Sequence, residues 1–228
     1  VRELTLLGQN VNSYAKPGYY AVGDDSGDDA DDDDARDRRR QRAYSAGFEA
    51  SVFVRSAKAD ADASTCRFAD LLRLVADAVP EARVRFTSPH PKDFPDELLE
   101  VVRDTPNVAK QLHLPAQSGS SEVLRRMRRG YSRETYVSLV ERARAAIPGV
   151  ALSTDMISGF CGETDDDHRA SVDLLQSVDY DLAFLYAYSN RPRTYADRHL
   201  VDDVPRDVKR ARLNELVAVY DDGRAARA

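Results

Sequence analysis

The segment that decides the fold is Val150-Ala-Leu-Ser-Thr-Asp-Met-Ile157, which runs into Ser158-Gly-Phe-Cys-Gly-Glu-Thr164 and then Asp165-Asp-Asp-His-Arg-Ala-Ser-Val-Asp-Leu-Leu175. A short, mostly apolar run bounded by Gly and Pro reads as a buried strand. Asp165, Asp166 and Asp167 suit the first turn of a helix, where the dipole favours acids. The segment is therefore a strand, a Gly-rich turn and a helix. The turn itself has three readings: an ordinary connection, a nucleophilic cysteine, or one wall of a cofactor site.

Working outward, the same alternation recurs. Val1–Leu7 reads as a strand. Phe68, Leu71, Leu72 and Val75 mark one helical face, and Glu81–Phe86 is the next strand. Pro95 is expected in the first turn of a helix whose Leu98, Leu99 and Val102 face inward. Lys110–Leu114 is a short strand. Tyr136, Leu139, Val140 and Ala143 form a helical stripe capped by Ser132 and stopped by Pro148-Gly149. Asp181–Tyr188 is the last strand, and a terminal helix carries Leu213, Leu216, Val217 and Tyr220. Five strands, each followed by a helix, predict an α/β fold with a parallel sheet, either open or a partial barrel.

Composition narrows the class. The 228 residues carry a formal net charge of −6 and 42% hydrophobic residues. No apolar run approaches the roughly 20 residues that span a bilayer. Two cysteines, Cys66 and Cys161, are too few for a disulfide framework or for a cluster that needs three or four thiolates. Much of the negative charge sits in residues 19–63, where Asp31-Asp-Asp-Asp34 precedes Arg38-Arg-Arg40. That stretch has little to bury and is expected to be a disordered insertion. Without it the body is only slightly acidic, which leaves an RNA partner open.

In such folds ligands sit at the carboxyl ends of the strands. Here those ends carry Gly8-Gln-Asn10, Ser88 with His90, Gln117-Ser118, Asp155 with Ser158-Gly159, and Ser189-Asn190. A hydrolytic Cys161 would need a base such as His168 or His90, and no nucleophile signature surrounds it. His90, His113, His168 and His199 show no pair at zinc spacing, so no metal site is expected. Arg125, Arg126, Arg128, Arg129 and Arg133 crowd one stretch. They read either as a solvated face or as a phosphate-contacting patch.

Taken together, these residues resemble the radical-SAM methylthiotransferases that modify tRNA. The resemblance rests on Leu6–Tyr14 (LLGQNVNSY), Phe86–Leu99 (FTSPHPKDFPDELL), His113–Tyr136 (HLPAQSGSSEVLRRMRRGYSRETY) and Asp155–Thr164 (DMISGFCGET). Cys161, where the family commonly has proline, and the insertion after Tyr14 look most like the eukaryotic branch. The resemblance implies a partial (βα)6 TIM-like barrel of the radical-SAM type, missing its first strand and cluster loop. Residues 1–18 would be the first retained strand and its loop, 64–200 the barrel core, and 201–228 a terminal helix leading to an absent RNA-binding domain.

It also implies a function: a methylthio group added to C2 of N6-isopentenyl-adenosine beside the tRNA anticodon. The cofactors would be S-adenosylmethionine and, in the intact enzyme, two [4Fe-4S] clusters whose ligands this chain lacks, so that the fragment alone is inactive. Gln9, Asn10, Gln117, Ser118, Asp155, Gly159, Phe160, Gly162, Glu163 and Thr164 would bind the cofactor. Arg125, Arg126, Arg128, Arg129 and Tyr131 would face substrate RNA, and catalytic residues stay unassigned. The compartment would be mitochondrial or cytoplasmic. Competing readings are a sister enzyme acting on threonylcarbamoyl-adenosine or a ribosomal protein, and a non-catalytic module that binds a kinase-regulatory protein.

Overall fold

The computed structural model describes residues 1–16 and 65–227. The expected acidic insertion at 19–63 lies outside them. The chain divides into two compact units, Val1–Gln111 with Glu141–Val150, and Leu112–Val140 with Ala151–Ala228. The division at 111–112 falls inside the stretch expected to be one barrel core.

The first unit contains β1 (Glu3–Leu7), β2 (Ala15–Lys16), β3 (Cys66–Arg67), α1 (Phe68–Ala78), β4 (Arg83–Thr87) and α2 (Asp96–Asp104). β1 and β4 pair in parallel with Leu4 opposite Val84 and Leu6 opposite Phe86. No periodicity foretells the short antiparallel β2–β3 ladder, which pairs Ala15 with Arg67. Two-residue strands are too short to show a period. Pro95 sits at the N-cap of α2, one residue before the expected first turn. Leu98, Leu99, Val101 and Val102 are buried beneath it. Asn12 ties the loop after β1 to the turn after β4. Its Nδ2 donates to the carbonyls of His90 (2.9 Å) and Asp93 (2.8 Å), and its Oδ1 accepts from the His90 amide at 2.7 Å.

β5 (Gln111–His113) enters the second unit, followed by α3 (Ser121–Arg126), α4 (Arg133–Ala146, of which Glu141 onward belongs to the first unit), β6 (Ala151–Ser158), α5 (Asp165–Val178), β7 (Leu182–Ala187), α6 (Tyr195–His199) and α7 (Arg206–Arg227). The sheet order is β5-β6-β7, with β6 and β7 parallel and Asp155 opposite Phe184. Side chains alternate across a strand. Leu152, Thr154 and Met156 are buried on one face of β6, while Asp155 and Ile157 on the other stay half-buried.

All four residues of the expected α4 stripe are buried, and the Ser132 hydroxyl accepts from the Thr135 amide as its cap. The Tyr136 hydroxyl donates to the Leu114 carbonyl at 2.7 Å and meets the Tyr180 hydroxyl at 2.8 Å. α5 opens on a capping box between Thr164 and Asp167. α7 departs from its apolar stripe: Leu216 is fully buried, but Val217 is 41% exposed. Besides Leu216, the helix buries the polar residues Lys209 and Arg212.

Candidate functional site

The carboxyl edge of the β5-β6-β7 sheet is where the second unit gathers its polar groups. Gln117 adopts the left-handed backbone (φ 67). Its amide donates to the Asp155 carbonyl (2.8 Å) and its carbonyl accepts from the Ile157 amide (2.9 Å). Ser118 is 1% exposed and meets Ser171 Oγ at 3.2 Å, so its hydroxyl braces the turn against α5. Asp155 stays partly open, with its Oδ2 3.4 Å from His113 Nε2.

The 158–164 turn is pinned from two sides. Gly159 and Gly162 have φ of 73 and 70, which glycine adopts without a Cβ clash. A Cβ on Gly159 would overlap Lys209, and one on Gly162 would overlap Arg126. The Gly159 amide donates to Glu163 Oε2 (2.7 Å), and Arg212 Nη1 donates to the same oxygen at 2.9 Å and to the Glu163 carbonyl at 3.0 Å. Arg212 Nη2 reaches Asp165 at 2.7 Å. Glu163 Oε1 is buried without a partner among the described residues. Burial, which outweighs the Gly159 amide and Arg212, raises the Glu163 pKa above the ordinary carboxyl value. Thr164 caps α5 and takes no further part in the turn.

Cys161 is 4% exposed and packs with Val123 and Phe160 in an apolar cluster. His168 turns away to Glu215 of α7, its Nε2 lying 2.9 Å from Oε2. Among the described residues no group of three or more His, Cys, Asp or Glu could hold a metal ion. No helix there is long and apolar enough to cross a membrane.

Beside the turn opens a cavity of about 500 Å³ whose walls include Arg126, Arg129, Phe160, Tyr186, Tyr188 and Arg191. Phe160 and Tyr188 meet edge to face with centroids 4.8 Å apart. Burial, and then the neighbouring Cys161 thiol, push the Tyr188 hydroxyl up to about 12. The arginines divide by environment. Arg125 is exposed and pairs with Glu122 at 2.7 Å. Arg126 donates to the Gly162 carbonyl at 2.6 Å and to Asp167 at 3.1 Å. The Arg128 guanidinium lies 4.4 Å from the centroid of the Tyr195 ring. Arg129 and Arg191 line the cavity and have no carboxylate partner among the described residues. Tyr131 is buried with its hydroxyl donating to the Pro115 carbonyl at 3.0 Å, and burial pushes its pKa up to about 12. Gln9 and Asn10 belong to the first unit, where Gln9 is exposed and Asn10 holds a left-handed φ of 56 at the start of a 3-10 turn.

Residues that sequence reasoning missed are Lys209 and Arg212, which hold the turn, and Tyr188, Arg191 and Tyr195, which wall the cavity. A charged helix face and a loop carry no periodic signal for such roles. The aromatic spacing in Tyr186-Ala-Tyr188 was the nearest hint.

A parallel βα sheet with its polar groups at the carboxyl ends defines a ligand-binding α/β enzyme fold, and residues 51–175 match the radical SAM superfamily. The chain belongs to that superfamily. It is similar to the mitochondrial tRNA methylthiotransferase CDK5RAP1 of Mus musculus, 49% identical over 96% of this chain and 34% of that protein. It is 51% identical to the tRNA-2-methylthio-N(6)-dimethylallyladenosine synthase of Phocaeicola vulgatus, over 96% of this chain and 39% of that one. This chain thus spans about a third of the length of the curated relatives it matches. Among solved structures, coproporphyrinogen III oxidase (HemN) from Escherichia coli shares the fold, with a TM-score of 0.54 at 20% identity over 68% of this chain and 37% of that one. The expected α/β fold of the radical-SAM type is borne out.

Proposed function

We propose that this chain is the core of an enzyme that adds a methylthio group to C2 of N6-isopentenyl-adenosine next to the tRNA anticodon, using S-adenosylmethionine. The observation that carries the reading is identity of 49–51% over 96% of the chain to one protein named a tRNA methylthiotransferase and one named a tRNA-2-methylthio-N(6)-dimethylallyladenosine synthase. The cavity supports it. Its volume of about 500 Å³ lies in the range of small-molecule sites, roughly 300–1,000 Å³. Its aromatic walls and arginines suit a nucleoside next to phosphate.

The residues fit S-adenosylmethionine but not an iron–sulfur cluster. Asp155 and Gln117 lie at the strand ends beside a turn closed by Gly159, Phe160, Gly162 and Glu163, and we propose that this edge holds the nucleoside part of the cofactor. Two cysteines are too few for the three or four thiolates of a cluster, so no step is assigned to cluster chemistry in this chain. When bound and given one electron by a reductant from outside this chain, the cofactor would lose methionine and supply a radical able to open a C–H bond that is neither acidic nor electrophilic. The protein's share is to orient the base and shield it from solvent. Arg129 and Arg191 are proposed to contact RNA phosphate, with Arg126 and Arg128 shaping the wall.

The compartment proposed is the mitochondrion, after the names of the eukaryotic relatives; the cytoplasmic alternative has no such support. Mass spectrometry of tRNA nucleosides from a strain lacking the gene tests the proposal. Loss of the methylthio group with isopentenyl-adenosine accumulating is expected. Unchanged methylthio-isopentenyl-adenosine overturns it.

A further inference from the structure

One face of the β5-β6-β7 sheet is left uncovered where a soluble sheet would normally be buried. Leu182, Phe184 and Tyr186 stand in a row along β7, 42%, 43% and 52% exposed. Three polar groups share this face. Ser153 Oγ lies 3.0 Å from His113 Nδ1, and His113 Nε2 lies 3.4 Å from Asp155 Oδ2. The His113 ring meets Phe184 edge to face with centroids 6.3 Å apart. Asp155 is in register with Phe184, and Ile157 with Tyr186. Ile157 and Tyr186 line the cavity, and residues two apart on a strand share a face about 6.6 Å along it. The relay therefore runs along the sheet face to the cavity's edge.

Burial distinguishes the two ends of the relay. Ser153 is 4% exposed, whereas the Asp155 side chain is 32% exposed. A hydrolytic triad would present the serine, and here the serine is the hidden end. A Ser153 hydroxyl donating to Nδ1 would place the ring's N–H on Nε2, toward Asp155. Asp155 Oδ1 has no hydrogen bond among the described residues.

We propose that Ser153 and His113 are positioning residues that aim the Asp155 carboxylate at an N–H or O–H donor of a nucleoside lying against Phe184 and Tyr186. The inference rests on the function proposed above, and the nucleoside is either that of the cofactor or the target base. Full-length protein is titrated with S-adenosylhomocysteine by calorimetry and with an anticodon stem-loop carrying isopentenyl-adenosine by anisotropy. Binding of the wild type to these probes tests the functional reading; the variants test the relay.

Asp155→Asn is expected to weaken one probe by about tenfold to a hundredfold, the scale of a hydrogen bond to a charged group. His113→Phe should weaken the same probe by a smaller factor, and the double variant should be no weaker than Asp155→Asn alone. The affected probe identifies the source of the nucleoside. Losses below twofold on both probes, losses on different probes, or full additivity overturn the proposal. Independently of any ligand, nitrogen NMR should show His113 as the Nε2–H tautomer, and Ser153→Ala should mix the tautomers. A wild-type Nδ1–H tautomer overturns the relay even where neither probe binds.

Discussion

Removing the guanidinium of Arg212 is the sharpest test of how the strand-end turn is held. Arg212 makes three charge-assisted contacts at 2.7 to 3.0 Å, two of them to Glu163 and one to Asp165. The Glu163 side chain is fully buried, so Arg212→Met strands a carboxylate whose second oxygen already lacks a partner. Breaking a buried pair from one side costs about 3–5 kcal/mol. Glu163→Gln keeps an acceptor for the Gly159 amide and removes the charge, so it should cost far less and should rescue Arg212→Met in the double variant. Urea denaturation of the four proteins gives the coupling energy.

The pH dependence supplies a sign. The Glu163 pKa is raised in the folded state from its ordinary 4.5. The folded protein therefore holds this proton more tightly than the unfolded one. The contribution is fully present below the unfolded value and is lost as pH rises through the folded value. Wild type should thus lose stability relative to Glu163→Gln as pH climbs above about 4.5, and Arg212→Met should steepen that loss. An Arg212→Met protein within 1 kcal/mol of wild type would refute the reasoning, as would a double variant less stable than Arg212→Met alone.

Further outcomes follow from single contacts. Gly119→Ala would drive a methyl into the Ala170 backbone carbonyl, so a loss of about 3 kcal/mol or more is expected by chemical denaturation, with Ser121→Ala as a mild control. Tyr136→Phe removes its hydrogen bonds to the Tyr180 hydroxyl and to the Leu114 carbonyl, which keeps the Thr154 hydroxyl, a cost of about 0.5–1.5 kcal/mol measured the same way. Arg129→Ala and Arg191→Ala should each lower the salt slope of RNA binding by about 1, while Arg125→Ala, already paired with Glu122, should leave it unchanged. Reconstituting this chain with iron and sulfide should yield no stable cluster absorbance, because it carries two cysteines.

Much of the α/β class was legible in the sequence because it depends on local period. The run at 150–157 appears as β6 over 151–158, and the α4 stripe is buried at every position expected. The capping chemistry at Thr164 and Ser132 is likewise local, a matter of one hydroxyl and an amide three residues on. The motifs around Gln117, Asp155 and Gly159 marked the candidate site for the same reason: strand ends and turns announce themselves in Gly, Ser and Gln.

Only the tertiary structure could divide the arginine run into Arg125 at the surface, Arg126 against the turn and Arg129 at the cavity, because helical spacing is blind to what each face meets. It alone showed that α7 buries Arg212 and Lys209 beside Leu216, and that Ser153, His113 and Asp155 form one relay. His113 and Arg212 lie about 40 or more residues in sequence from the partners they meet. Sequence period reports which side of an element faces inward; which charges meet there is set by distant segments that fold onto it.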